Sequence, residues 1–396
     1  MRKLCVFAVA SVGVLVLAGC GSTGGSDTGG DATGPIELFQ LTEVQSATTS
    51  LPMTETSAKA AVAQINAAGG INGRKLVLTT CNEAGDPNTA IKCAQQAVQD
   101  QKFVAMVGGF SLFGPQVNPI TEAGKIANIG LDAVTPNDGQ SMANFVFDLG
   151  VPGYSAMPAV ARKYLNATKA ASFLLDSAAA ASIDSYFKSG AERAGVQIVK
   201  TVNVPVDAVD YTQFVAQAED AGAEVILSGM SVNNNLALWK ALESSGSKLK
   251  TVMSDGGVSQ SLIDQAGKNA TEGNYTVNGI PSTEASNPTG KAYREAMAAY
   301  APDEKVIAGV GMRAWLSVHL FAEVAKKIDG PVTRESVLRA MSAVSDMKFY
   351  WIDALSFDKP GPLAEYPRIA STLCFPSKIT DGKYQPLDAF DPFARQ

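Results

Sequence analysis

Residues 60–82 read Ala-Ala-Val-Ala-Gln-Ile-Asn-Ala-Ala-Gly-Gly-Ile-Asn-Gly-Arg-Lys-Leu-Val-Leu-Thr-Thr-Cys-Asn. Ala58, just ahead of this stretch, and Ala61, Val62 and Ile65 within it follow the 3.6-residue spacing of one helix face. Gly69-Gly70 closes that helix, because glycine readily takes the left-handed conformation just past a helix end. Asn72-Gly73 makes a tight turn into Lys75-Leu-Val-Leu-Thr-Thr80, a strand. Upstream, Glu37-Leu-Phe-Gln-Leu-Thr-Glu43 reads as an earlier strand. Downstream, Asp86-Pro87 supplies a side-chain cap and then proline at the first helical position. A helix over Asn88–Val98 follows, and then the strand Phe103-Val-Ala-Met-Val107. Short strands separated by helices of this length imply parallel βαβ units.

The alternation persists along the chain. Strands are predicted at Ala171–Leu175, Gln197–Val204, Val225–Ser228 and Thr251–Ser254. Helices are predicted at Tyr154–Tyr164, Ala179–Ala194, Tyr211–Ala221, Asn234–Ser245, Val306–Ile328 and Thr333–Met341. In the longest of these, Val310, Ala314, Val318, Phe321 and Val324 form one buried face. An apolar fraction of 46% with evenly spread charge fits a folded α/β chain.

The first residues read as a leader. Arg2-Lys3 precedes an apolar run from Cys5 to Leu17, too short to span a bilayer, which needs about 20 residues. Leu17-Ala18-Gly19-Cys20 resembles the lipobox of bacterial lipoproteins, which implies cleavage before Cys20 and acylation of its thiol. Stable anchoring takes two acyl chains, one being marginal. Residues 21–35 then form a flexible tether, since Gly21 to Gly34 hold only Gly, Ser, Thr, Asp and Ala. Removing leader and tether leaves about 360 residues, more than one hydrophobic core normally serves, so two lobes are expected. Losing Arg2 and Lys3 makes the body more acidic than the whole chain's net −6. Such a surface repels phosphate backbones, and no basic stripe is present, so nucleic acid is not an expected partner. Cys81, Cys93 and Cys374 remain after Cys20. Three cysteines allow three pairings, which sequence alone does not decide. The short loop between Cys81 and Cys93 makes that bridge the expected one in an oxidising compartment, with Cys374 a buried thiol. No C-x-x-C or histidine cluster suggests a metal site.

The segment 60–82 closely resembles the opening of type I periplasmic binding proteins of the branched-chain amino-acid receptor family. Asp86-Pro87 with Ala90 and Ala94, Val107-Gly108-Gly109 ahead of a serine, and Ala314-Trp315 with Leu320-Phe-Ala-Glu323 continue the likeness over residues 36–360. The resemblance implies two doubly wound parallel-sheet α/β lobes joined by three crossovers. Lobe I would hold residues 36–150 and 280–345, and lobe II residues 151–279 and 346–396. Ligands of open parallel sheets sit beyond the carboxyl ends of the strands, where strand order reverses.

An amino acid offers a carboxylate, suited by a helix N-terminus and hydroxyls, and an ammonium, suited by an acid. On lobe I the loop Gly108-Gly-Phe-Ser-Leu-Phe-Gly114 nominates Ser111, by resemblance, and Phe113. Asp132-Ala-Val-Thr-Pro136 resembles the family's carboxylate-binding turn but adds Asp132 and places the threonine one position later, at Thr135. The first loop offers Ser50 where the family often has an aromatic. Lobe II departs further: Asp176 precedes serine and alanines, and Met230 stands near a frequent tyrosine. Asp255 falls near the family's acidic ammonium partner, with Asp132 its rival, and Trp315 matches a late aromatic. Each has a plainer reading: Ser111 and Asp176 as helix caps, Asp132 and Asp255 as turn residues, Trp315 as core. His319, the sole histidine, reads as structural.

Catalysis finds little support. There is no G-x-S-x-G elbow, no phosphate-binding G-x-x-x-x-G-K-[ST] loop, and one histidine. No cofactor is implied. The resemblance implies a monomeric, extracytoplasmic solute receptor that hands a small amino-acid-like ligand to the permease of an ABC importer while a lipid anchor holds it at the membrane. The alternative is a sensor lipoprotein that signals to a membrane partner.

Overall fold

A computed structural model describes residues 34–46, 50–177, 180–254, 258, 260–283 and 286–394. The leader, Cys20, most of the tether and Asp255 lie outside them. The quoted segment behaves as its residues dictate. Helix α1 (Pro52–Ala67) follows β1 (Ile36–Thr42), buries Ala58, Ala61 and Ile65, and leads to β2 (Leu76–Asn82). Gly70 has φ +74°, and a Cβ there would lie 2.1 Å from the Arg74 carbonyl oxygen, so only glycine fits. The Asn66 side chain donates to the Leu76 carbonyl at 2.9 Å and accepts from its N–H at 2.7 Å. That amide stands in for a strand neighbour and sets where β2 begins.

Asp86 caps α2 (Pro87–Gln99), accepting from the Thr89 N–H at 2.7 Å. Then come β3 (Phe103–Val107), α3 (Gly114–Ala123), β4 (Ala127–Ile129), a 3₁₀ turn at Pro136–Gly139, and β5 (Asn144–Phe145). These strands pair in parallel in the order β2-β1-β3-β4-β5. A bridge joins Cys81 of β2 to Cys93 of α2, as expected, and Cys374 is a buried thiol. Closing a loop of this length restrains the unfolded chain. Cys81→Ser with Cys93→Ser should therefore cost roughly 2–3 kcal/mol, read as a lower urea midpoint. An unchanged midpoint would show that the reduced pair packs as well.

After a 3₁₀ segment at Val151–Ala156, lobe II runs α4 (Met157–Leu165), β6 (Lys169–Leu175), α5 (Ala180–Ala194), β7 (Gln197–Val204), α6 (Thr212–Asp220) and β8 (Val225–Gly229). It continues with α7 (Val232–Ser245), β9 (Lys250–Ser254), α8 (Gln260–Ala266), α9 (Lys268–Thr271) and β10 (Tyr275–Asn278). The chain returns to lobe I for α10 (Pro288–Tyr300), α11 (Gly309–Ala325), α12 (Arg334–Ser342) and a hairpin of β11 (Met347–Phe349) and β12 (Ile352–Leu355). Antiparallel β13 (Phe375–Thr380) and β14 (Lys383–Pro386) then complete the second sheet, ordered β14-β13-β10-β9-β8-β6-β7.

The molecule is thus two doubly wound, mainly parallel α/β lobes. The expected return to lobe II at 346 comes too early. Phe349, Ile352, Leu355 and Phe357 join the lobe I core, with Phe357 against Phe145 and Phe349 against Phe147. Those apolar side chains keep the hairpin on lobe I, so the third crossover follows Phe357. Helix α11 also differs from expectation. It is shorter than Val306–Ile328 and buried nearly all round, so its packing is not confined to the single face expected.

Candidate functional site

All five strands of the lobe I sheet are parallel, so their carboxyl ends share one edge. Polar residues follow strand by strand: Glu43 after β1, Glu83 after β2, Ser111 after β3, Asp132 after β4 and Asp148 after β5. All four carboxylates are buried, as is Asp138 in the turn beyond β4. Arg313 of α11 meets two of them. Its Nη1 donates to Asp132 Oδ2 at 2.7 Å, while its Nη2 and Nε donate to Asp148 Oδ2 at 2.6 and 2.9 Å. One guanidinium does not neutralise two buried carboxylates. Burial therefore outweighs the attraction at Asp132 and pushes its pKa up to about 6, although Arg313 itself is held more firmly charged by the pair. Arg368, the other buried cation among the described residues, donates to the Asn144 carbonyl and lies over Phe145.

The turn expected to receive a ligand carboxylate already holds one. Asp138 Oδ2 accepts from the Val134 N–H at 3.0 Å, the Thr135 N–H at 2.7 Å and the Thr135 hydroxyl at 2.9 Å. Its Oδ1 accepts from Asn118 Nδ2 at 2.7 Å. That oxygen also lies where a Cβ on Gly114, the first residue of α3, would approach to 2.4 Å. The chain's own carboxylate thus lies beside the first residue of α3 and holds the donors of the turn beyond β4, the Thr135 hydroxyl among them.

Glu83 and Glu43 have fewer partners. Glu83 Oε1 accepts weakly from the Leu112 N–H at 3.4 Å, and the Ser111 hydroxyl favours the charged form. Burial prevails, helped by the negative charges of Glu43 and Asp138, and the Glu83 pKa rises to about 7. Burial also raises Glu43. Neither Glu43 oxygen accepts a hydrogen bond, nor does Glu83 Oε2; the Ser46 hydroxyl eases the Glu43 charge without reaching bonding geometry.

Lobe II approaches this edge through aromatic hydroxyls. Burial, with the Asp132 charge added to it, pushes the Tyr154 phenol up to about 12. Tyr186 of α5 is raised by burial, by Tyr366 of the third crossover and by Asp138.

The structure brings Ser111, Asp132 and Thr135 to one edge but places other nominated residues elsewhere. Trp315 is buried in the lobe I core and donates from Nε1 to Gln64 Oε1 at 3.0 Å, with the His319 ring tilted against it. It is core because α11 lies against α1 along that side. Met230 is buried in a lobe II core cluster. Phe113 is half-buried on the cluster beneath α2 and α3. Asp176 and Ser50 are exposed. Asp255 lies outside the described residues. Glu43, Glu83, Asp138, Asp148 and Arg313 were not nominated from sequence. The available signal for Arg313 was a lone charge inside the apolar helix Gly309–Ala325, which demands a buried partner.

A family model described as periplasmic binding protein matches residues 41–358. The Leu/Ile/Val-binding protein homolog 3 of Brucella melitensis biotype 1 is 26% identical over 272 residues, 64% of this chain and 72% of its own length. The branched-chain amino acid transporter substrate binding protein LivJ of Streptococcus pneumoniae, solved with isoleucine, superposes with a TM-score of 0.71 at 18% identity, covering 90% of this chain and 98% of its own. A fatty acid ABC transporter substrate-binding protein of Thermomonospora curvata reaches 0.76 at 17% identity, covering 91% and 94%. With two doubly wound lobes and a family match across four-fifths of its length, the chain belongs to the periplasmic binding protein family, whose members bind solutes and are not enzymes.

Proposed function

We propose that the chain is a lipid-anchored extracytoplasmic receptor that captures a small polar solute between its lobes and presents it to the permease of an ABC importer. The observation that carries this reading is the convergence of buried polar groups at the lobe I strand ends, near enough to Tyr154 and Tyr186 of lobe II for the charges of Asp132 and Asp138 to act on the two phenols. The Brucella and Streptococcus relatives are named for branched-chain amino acids and the Thermomonospora one for fatty acids, so the shared fold admits different solutes. Closure follows when the solute contacts the closed arrangement better than the open one. A differential affinity of about 5.5 kcal/mol converts a mostly open population into a mostly closed one. Tethering at Cys20 keeps the receptor beside its permease and raises their effective concentration.

A thermal-shift panel of amino acids, amines, amides and short fatty acids tests this, followed by small-angle scattering on any hit. A cognate solute at a hundredfold excess over its Kd adds about 2.7 kcal/mol of stability and contracts the particle. A panel that moves neither quantity would overturn the reading. Anchoring is tested separately: Cys20→Ala should release the chain from membranes and abolish labelling by radioactive palmitate.

A further inference from the structure

The lobe I edge carries five buried carboxylates, Glu43, Glu83, Asp132, Asp138 and Asp148, and Arg313 pairs with only Asp132 and Asp148. Asp138 is satisfied by backbone, hydroxyl and amide donors. Glu43 and Glu83 are not: both are fully buried, and three of their four oxygens accept no hydrogen bond. An unpaired carboxylate in such a place is strongly disfavoured unless it holds a proton or meets a cation. The two sit at the ends of adjacent strands β1 and β2, close enough for the charge of one to act on the other. The Leu112 N–H already reaches the remaining Glu83 oxygen, so the free oxygens mark where a further donor belongs.

A second observation, a few residues away, agrees in sign. The turn beyond β4 could give its N–H groups and the Thr135 hydroxyl to a solute carboxylate, but Asp138 takes them. The edge therefore offers acceptors without partners, while the donors of that turn are already taken.

We propose that Glu43 and Glu83 bind the cationic group of the solute, a protonated amine or a guanidinium, and that the solute needs no carboxylate for recognition at lobe I. This rests on the receptor reading above and narrows its solute class. Each free oxygen accepts one N–H, and a guanidinium or ammonium supplies several at once. Charge-assisted bonds of this kind, made away from water, dominate selection between solutes of equal size.

The test uses the mature chain and four probes: agmatine, L-arginine, L-leucine and isovalerate, titrated by calorimetry with sodium chloride as the ionic control. Agmatine, which has no carboxylate, should bind at least as tightly as L-arginine, and both more tightly than L-leucine or isovalerate. Glu43→Gln and Glu83→Gln should each weaken agmatine by roughly tenfold or more. At about pH 8 the same variants should be more heat-stable than the parent, because each removes a buried unpaired charge. A merely structural role for either glutamate would instead lower affinity and stability together, and would overturn the assignment. So would binding of L-leucine or isovalerate without agmatine; contraction of the particle by those solutes would leave the receptor reading standing. Agmatine binding without contraction would support the acidic site and count against the receptor reading. If neither agmatine nor L-arginine binds more tightly than sodium, the proposal fails, and the wider solute panel judges the receptor reading alone.

Discussion

Replacing Arg313 by methionine will lower the unfolding free energy by about 3–5 kcal/mol, one of the largest single losses expected for this chain. The guanidinium ties α11 to the ends of β4 and β5 through Asp132 and Asp148, all three side chains being buried. Methionine fills much of the same volume, so the loss does not come from a cavity. It comes from two carboxylates left in a place with little solvent, each with its Oδ1 already unpartnered. Adding Asp132→Asn and Asp148→Asn to the methionine variant should recover most of the loss, because neutral amides have no charge to desolvate. Arg313→Lys should recover little, since one ammonium cannot span both carboxylates as the fork does. Urea unfolding of the four proteins decides this. A loss under about 1 kcal/mol for the methionine variant would place the triad in the class of solvated surface pairs.

That triad shows where the sequence stops being legible. The segment 60–82 fixes its own structure: an alanine-rich face, a glycine no other residue replaces, and an asparagine that bonds both backbone groups of Leu76. The Asp86 cap and the Cys81–Cys93 bridge are equally local, and both are present as expected. Helix α11 is not readable in this way. It is buried nearly all round, so periodicity gives no hint that Trp315 faces α1 and Gln64 while Arg313, two residues earlier, faces Asp132 and Asp148. Asp138 sits in a Pro-Asn-Asp-Gly turn, where an aspartate usually needs no further explanation. Only the fold shows its carboxylate against the first residue of α3. Glu43 and Glu83 end strands, positions where a charge normally turns to water, yet neighbouring loops bury both. The chemistry of the edge depends on contacts between residues distant in sequence, which local pattern does not encode.

The pH dependence of stability offers a measurement of that edge without any solute. At about pH 7.5, Glu83→Gln should make the ligand-free chain more stable by about 3 kcal/mol, and at about pH 4.5 it should change little. The folded chain holds the Glu83 proton up to about 7, whereas the unfolded chain releases it near 4.5. Across that interval the folded state binds more protons, so stability falls as pH rises, and the loss is complete above the folded pKa. Asp132, raised to about 6, acts in the same direction over a lower interval. His319 opposes them: burial lowers it to about 4, so stability is lost as pH falls from the ordinary imidazole value. The parent chain should therefore lose stability as pH rises through this range, because two carboxylate slopes outweigh the single opposing imidazole slope. The variant removes one carboxylate slope and leaves those of Asp132 and His319 to offset one another, so its profile should be nearly level. The groups facing Glu83 are Glu43 from the end of β1, Asp138 from the turn beyond β4, and Ser111 with the Leu112 N–H from the loop after β3, and none carries a positive charge. A stability difference between parent and variant that is equal at both pH values would show that Glu83 titrates as an ordinary carboxylate, and that water or a counter-ion reaches it in solution.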